Sequence, residues 1–171
     1  MSEENVELVR RLQPAPDVDI AQLVRDDDIN ARWIEALTSV FHADFECVMM
    51  SRIEGPTTYA GLDGLRDAWL DWTAPWAAYR TEIEQLIDAG DRVVVLVRDF
   101  GRRVGGAYEV AFSAATVWSV RDGKVVRAEF FPDRALALKA AGLSASDSSD
   151  TTTKPESTGS VSRFRPVASK E

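Results

Sequence analysis

Residues 80–131 hold four strand-like runs in quick succession, and this stretch narrows the possible folds more than any other. The runs are residues 80–88, 92–100, 108–120 and 124–131, with tight turn signals at Gly90-Asp91 and Asp122-Gly123 and a looser loop at 101–106. Connections this short join antiparallel neighbours, because a parallel crossover needs a dozen or more residues. The stretch therefore reads as an antiparallel meander. At least one of its faces must be covered, and the covering material lies upstream.

Residues 3–12 read as a short helix presenting Val6, Val9 and Leu12, stopped by Pro14 and Pro16. Residues 17–24 are a linker or a short helical turn. Asp27 or Asp28 can cap a helix running to about Phe41, with Ile29, Trp33, Leu37 and Val40 or Phe41 as its apolar stripe. Phe45, Cys47 and Met49 then alternate as in a strand, which Gly55-Pro56 ends. A second long helix spans about 61–72, with Leu62, Leu65, Trp69 and Trp72 on one face and Asp63, Asp67 and Asp71 on another. Residues 135–141 make a last short helix, terminated by Gly142. Helices first and sheet second is the α+β pattern.

Three segments follow: residues 1–26, a helix and linker packed on the domain; residues 27–143, the domain itself; and residues 144–171, a tail. The tail is rich in Ser, Thr, Asp and Lys, with only Val161, Phe164 and Val167 sizeable and apolar. Such a segment buries too little to offset its ordering entropy, so disorder is expected. A short partner-binding element around Arg163-Phe164-Arg165 is the alternative.

The inventory removes several functions. A net charge of −8 leaves no basic stripe for nucleic acid. No apolar run approaches the ~18–20 residues of a membrane span. The acidic start Met1-Ser2-Glu3-Glu4 is unlike a secretory signal, so the expected location is the cytoplasm. Cys47 and His42 are the only residues of their kinds, which argues against disulfides, metal clusters and Ser-His-Asp chemistry. No cofactor motif is present. Asp99-Phe100-Gly101 spells a kinase metal triplet without the rest of a kinase. The glycines of 101–106 join two strands and open no helix, so they are no phosphate cradle.

The last hairpin can be read in detail. A two-residue Asp122-Gly123 turn would set Trp118 opposite Arg127, mixing charge with the largest aromatic. A three-residue loop, Arg121-Asp122-Gly123, sets Trp118 opposite Val126, Thr116 opposite Ala128 and Ala114 opposite Phe130. In that register Phe112, Ala114, Thr116, Trp118, Val126, Ala128 and Phe130 form the inward face. Its small centre leaves room beneath the helices, to be filled by Trp33, Trp69 and Trp72 or left as a pocket lined by them.

The helix, strand, helix and meander order resembles the SnoaL-like branch of the nuclear-transport-factor-2-like superfamily, which has a cystatin-like cone fold. The likeness rests on Phe41-His42-Ala43-Asp44-Phe45-Glu46, Tyr59-Ala60-Gly61-Leu62-Asp63-Gly64-Leu65 and Asp88-Ala89-Gly90-Asp91-Arg92-Val93. Val120-Arg121-Asp122-Gly123-Lys124-Val125 and Asp133-Arg134 leading to Ala140-Ala141-Gly142-Leu143 complete it. The resemblance implies a curved, mostly antiparallel sheet with the N-terminal helices on its concave face. It also implies a mouth that binds a small, mostly apolar molecule, and a homodimer packed through the outer face.

Epoxide hydrolysis in that superfamily needs an Arg-x-Asp pair on one strand and a second Asp on the last strand. Here Arg98 and Asp99 are adjacent and point to opposite faces, and Phe130 holds the place of the second Asp. Steroid isomerisation needs a cavity carboxylate, and the derived inward positions on the last two strands are not acidic. Polyketide cyclases of this kind commonly use an Asp with a His, which makes His42 and Asp44 candidates; a helix-end and a turn residue are the plainer readings. Arg98 faces the cavity beside Thr116 if Leu96 and Phe100 face inward, and is solvated if Val93, Val95 and Val97 do. An inward Arg98 would need an acidic partner or an anionic ligand. Tyr59 precedes the second long helix, near the expected mouth.

Two functions fit. One is a pocket for a small apolar or anionic molecule, lined by Trp33, Tyr59, Trp69, Trp72, Arg98, Phe112, Thr116, Trp118 and Phe130, in a lyase/isomerase-type enzyme or a silent binder. The other is a dimeric interaction module with a vestigial pocket, docking through Val117, Val125 and Phe131.

Overall fold

The computed structural model describes residues 2–149. Six strands form one sheet: β1 (Phe41–Met49), β2 (Thr57–Ala60), β3 (Trp76–Ala89), β4 (Arg92–Arg103), β5 (Glu109–Arg121) and β6 (Lys124–Phe131). Their order is β2-β1-β6-β5-β4-β3, and every pairing is antiparallel except β1 with β6. The meander is thus extended at β6 by a strand from much earlier in the chain. Backbone bonds Val125 N–H to Val40 O and Met50 N–H to Phe130 O lie at the two ends of that parallel pairing.

The helices are α1 (Ser2–Leu12), α2 (Ile20–Arg25), α3 (Asp27–Leu37), α4 (Gly61–Thr73) and α5 (Arg134–Ala140). Carboxylates start three of them. Asp19, Asp26 and Asp133 accept from the first-turn amides of α2, α3 and α5, groups that no intrahelical carbonyl can reach. Asp19 also accepts the Tyr79 N–H at 3.1 Å, tying α2 to β3. Arg25 adds bonds to the carbonyls of Thr73 and Trp76, at 2.6 and 2.8 Å.

The helices cover both faces of the sheet. On the inner face, Val9, Leu37, Leu65 and Ala68 pack with Phe45, Cys47, Val93, Val95, Val97, Trp118 and Ala128. On the outer face, Ala137 and Leu138 of α5 cover Val94, Leu96, Ala115, Val117 and Phe131. Val117 and Phe131 are therefore interior residues, and Val125 belongs to the inner core. The three residues expected to form a docking surface are buried, Val117 and Phe131 beneath α5 and Val125 on the inner face.

One other local expectation gives way, the end of the helix expected to reach Phe41. α3 stops at Leu37 and Phe41 opens β1, where the free side of β6 supplies backbone partners. The short β2 returns after Gly55 to pair with β1. Residues 144–149, expected in the tail, include a 3-10 turn (Ala145–Ser149) in which Asp147 accepts from the Ser144 amide and hydroxyl. The remainder of the expected tail, with Arg163, Phe164 and Arg165, lies outside the described residues.

The β5–β6 hairpin does not adopt the three-residue loop: it begins in the two-residue register and, beyond a bulge, takes a third. Its turn has two residues, with Asp122 and Gly123 at positive φ (51° and 71°) and Arg121 opposite Lys124. Between Val125 and Arg127 the ladder slips by one residue, so Val126 is an extra residue in a bulge. Beyond it Trp118 faces Ala128 and Thr116 faces Phe130, not Val126 and Ala128. The inward face survives except for Val126, whose place Val125 takes.

No helix among the described residues is long and apolar enough to cross a membrane. Near the β4–β5 end, the Trp76 ring lies where a side chain of Gly101 would be; a Cβ there would meet its Cε3 at 2.5 Å. Trp76 is held by stacking on Phe112, with centroids 5.9 Å apart. Gly101→Ala should therefore destabilise the protein by about 1–3 kcal/mol, the usual cost of overpacking, measured by urea denaturation.

Candidate functional site

Between the sheet and α1–α4 lies a cavity of about 110 Å³. Strand pairing explains which side chains reach it. Thr81 on β3, Asp99 on β4 and Phe112 on β5 stand in one cross-strand row. Val97 and Ala114 form the next row, and Val95, Thr116, Phe130 and Met49 another. Small residues at 114 and 116 keep the centre open, as the alternation implied. Trp33 of α3 and Trp69 and Trp72 of α4 line the space.

Asp99 is the unexpected member. It is 7% exposed and is the one charged residue among the described residues lining the cavity. Burial pushes its carboxyl above the ordinary 3.8, while the neighbouring hydroxyls of Thr81 and Tyr79 and the more distant Arg134 pull the other way. Arg134 itself is engaged by Glu84 and by the carbonyls of Val97 and Ala114. Tyr79 is 2% exposed, and burial followed by the charge of Asp99 raises its own pKa. The Trp72 ring meets the Tyr79 ring edge-on, with centroids 6.4 Å apart.

Thr116 is the second polar feature. Its hydroxyl oxygen accepts the Trp118 indole N–H at 2.8 Å, which leaves the hydroxyl proton free to donate.

Of the residues expected to bind ligand, Trp33, Trp69, Trp72, Phe112, Thr116, Trp118 and Phe130 line the cavity. Tyr59 and Arg98 do not. Tyr59 donates to Asp71 at 2.7 Å, and its pKa is pushed up to about 12 by burial and by that bond. Arg98 is exposed on the outer face in register with Glu82 and Ser113, because Val93, Val95 and Val97 take the inner face. The basic group behind the expectation of an anionic ligand is therefore outside. His42 and Asp44 sit together at the start of β1, 3.8 Å apart and away from the cavity. Among the described residues, no three His, Cys, Asp or Glu side chains gather to hold a metal.

Sequence reasoning missed Asp99, Tyr79 and Thr81. Its parity was legible, since Asp99 shares that of Val93, Val95 and Val97, but alternation alone left open which set faces inward. Tyr79 was hidden by a strand start placed at 80, four residues after β3 begins.

Residues 20–128, well over half of the chain, match the SnoaL-like domain. The chain belongs to the SnoaL-like family. Among solved structures it is similar to a protein from Jannaschia sp. CCS1 described as a SnoaL-like polyketide cyclase. That pair is 22% identical, with a TM-score of 0.57 over 84% of this chain and 94% of the other. TerC, crystallised with polyporic acid, is also 22% identical, with a TM-score of 0.54 over 81% of this chain and 98% of TerC. An NTF2-like protein of unknown function from Burkholderia pseudomallei K96243 is 19% identical, with a TM-score of 0.54, covering 80% and 95% of the two chains. No curated protein matches the sequence. These likenesses establish an NTF2-like fold, an open six-stranded α+β sheet, for this SnoaL-like protein.

Two outcomes follow. Folding raises the Asp99 pKa, so the native state holds a proton that the unfolded chain releases near pH 3.8. The Asp99 contribution to stability should therefore fall as pH rises from there through the raised value, and stay low above it. Asp99→Asn should abolish that decline and melt higher than the parent at neutral pH, read as the difference between their Tm–pH profiles. Thr116→Val should cost about 1–3 kcal/mol by leaving the buried Trp118 N–H unpaired, whereas Thr116→Ser should retain most of the stability in the same denaturation assay.

Proposed function

We propose that this SnoaL-like protein binds one compact small molecule in its inner cavity and that Asp99 is the group that handles a proton there, as in a lyase- or isomerase-type enzyme. The observation that carries this reading is the placement of Asp99: a single carboxyl, desolvated, on the floor of an otherwise apolar and aromatic space. A carboxyl moved upward by burial keeps its proton to higher pH than an exposed one, which suits acid–base work. Tyr79 and Thr81 beside it, and the donor left on Thr116, are available to orient a polar atom of the ligand.

Size narrows the ligand. A cavity of about 110 Å³ is of the order of the engineered apolar cavity that holds benzene. A single ring suits it, and a four-ring skeleton does not without moving α3 or α4. The co-crystallisation of TerC, a protein of similar fold, with polyporic acid supports a ligand-holding role.

Thermal-shift titration with benzene, phenol and cyclohexenone tests the reading. Wild type should gain several degrees with at least one of them at millimolar concentration. Ala114→Leu, which fills the middle of the cavity, should lose the gain. Asp99→Asn should keep the benzene response and change the cyclohexenone response. Absence of any shift with all three, or an unchanged shift in Ala114→Leu, would defeat it.

A further inference from the structure

The lining of the cavity is unbalanced in charge. Of the described residues around it, one is acidic and none is Lys, Arg or His. The nearest cation that acts on Asp99 is Arg134, which approaches from α5 on the outer face and is already committed to Glu84 and two carbonyls. Asp99 in its charged form therefore lacks a basic partner inside the cavity, which is the situation a protein ordinarily avoids.

Aromatic rings line the same cavity as Asp99. Phe112 is its cross-strand neighbour. The Tyr79 ring lies 6.1 Å from Phe112, 6.1 Å from Trp69 and 6.4 Å from Trp72, centroid to centroid. The three pairs are inclined at 54°, 57° and 89°, so the rings form walls and not a stack. Aromatic faces carry negative potential and attract cations, most strongly where water is excluded. An acidic molecule of net charge −8 adds a favourable long-range field.

Three ligand classes can be weighed against this arrangement. An anion would meet the carboxylate and the negative ring faces, with no basic group among the described lining residues. A hydrocarbon would gain from the walls and nothing from Asp99. A compact organic cation would gain from both, and would replace the proton as the partner of the carboxylate. We infer that the cavity takes a small tertiary or quaternary ammonium group, paired with Asp99 and enclosed by Trp69, Trp72, Tyr79 and Phe112. This assignment rests on the cavity reading above and specifies its ligand class.

The pairing has a signature. If the cation binds the ionised carboxyl, binding at pH below the Asp99 titration releases the proton Asp99 holds. Affinity must then rise with pH through the Asp99 titration and level off above it. Tetramethylammonium has no titratable proton, so any such dependence belongs to the protein.

The test is calorimetric titration of the full chain with tetramethylammonium, choline and 3,3-dimethylbutan-1-ol, the uncharged carbon counterpart of choline, at matched ionic strength. Choline should bind at least tenfold tighter than the alcohol. Tetramethylammonium affinity should rise with pH and then plateau. Asp99→Asn, checked to be folded, should abolish the pH dependence and reduce choline to the level of the alcohol. Trp72→Leu should weaken choline more than the alcohol. Equal binding of choline and the alcohol, or affinity independent of pH, would overturn the ammonium assignment. So would absence of cation binding in protein that still responds to benzene, and that result would leave the cavity reading intact. Failure of the cations and of benzene, phenol and cyclohexenone together would overturn both.

Discussion

A long meander has two faces, and here both must be dry. The central run of β4, Val93 to Val97, is apolar at every position, so neither side of the sheet can be left to water there. The N-terminal helices cover one side and α5 covers the other. Everything else about the molecule depends on that division. α5 ends its coverage near Leu96, so Arg98 can be solvated on the outer side, and the next inward residue is Asp99.

The curvature that makes a cavity comes from irregularities at particular places. The ladder slips between Ile83 and Gln85 on β3 and at Val126 on β6, and β1 is irregular between Phe41 and Glu46. Bulges bend a strand and increase its twist, which lets one sheet wrap around the helices instead of lying flat beneath them. At the far end Trp76 folds over Gly101 and against Phe112, closing the sheet beside α2. The cavity is what remains when three helix tryptophans line that concave face without filling it.

Within this frame Asp99 is costly. A buried carboxyl with hydroxyls for company, and with Arg134 already committed to other acceptors, works against the stability of the domain. Such residues concentrate where a protein binds or reacts, whereas a Val or Thr would serve packing better at that position. The open middle of the sheet, Ala114 and Thr116, lies one and two rows away from Asp99 on the same face. Small side chains and an acid in neighbouring rows give the cavity both its room and its polarity.

The sequence by itself determined the element order, the meander and the α+β class, because turn residues and alternation are local properties of the chain. It also determined most of the inward face of β5 and β6, since Phe112, Ala114, Thr116 and Trp118 keep parity whichever register the turn adopts. It carried most of the site's aromatic lining for the same reason. It did not determine the orientation of β4, where apolar residues on both faces give alternation nothing to choose between. That choice belonged to α5, a helix some 40 residues later in the chain whose packing on Val94 and Leu96 turns Val93, Val95, Val97 and hence Asp99 inward. The bulge at Val126 and the parallel partnership of β1 with β6 were likewise decided by tertiary structure, because each depends on which strand arrives alongside.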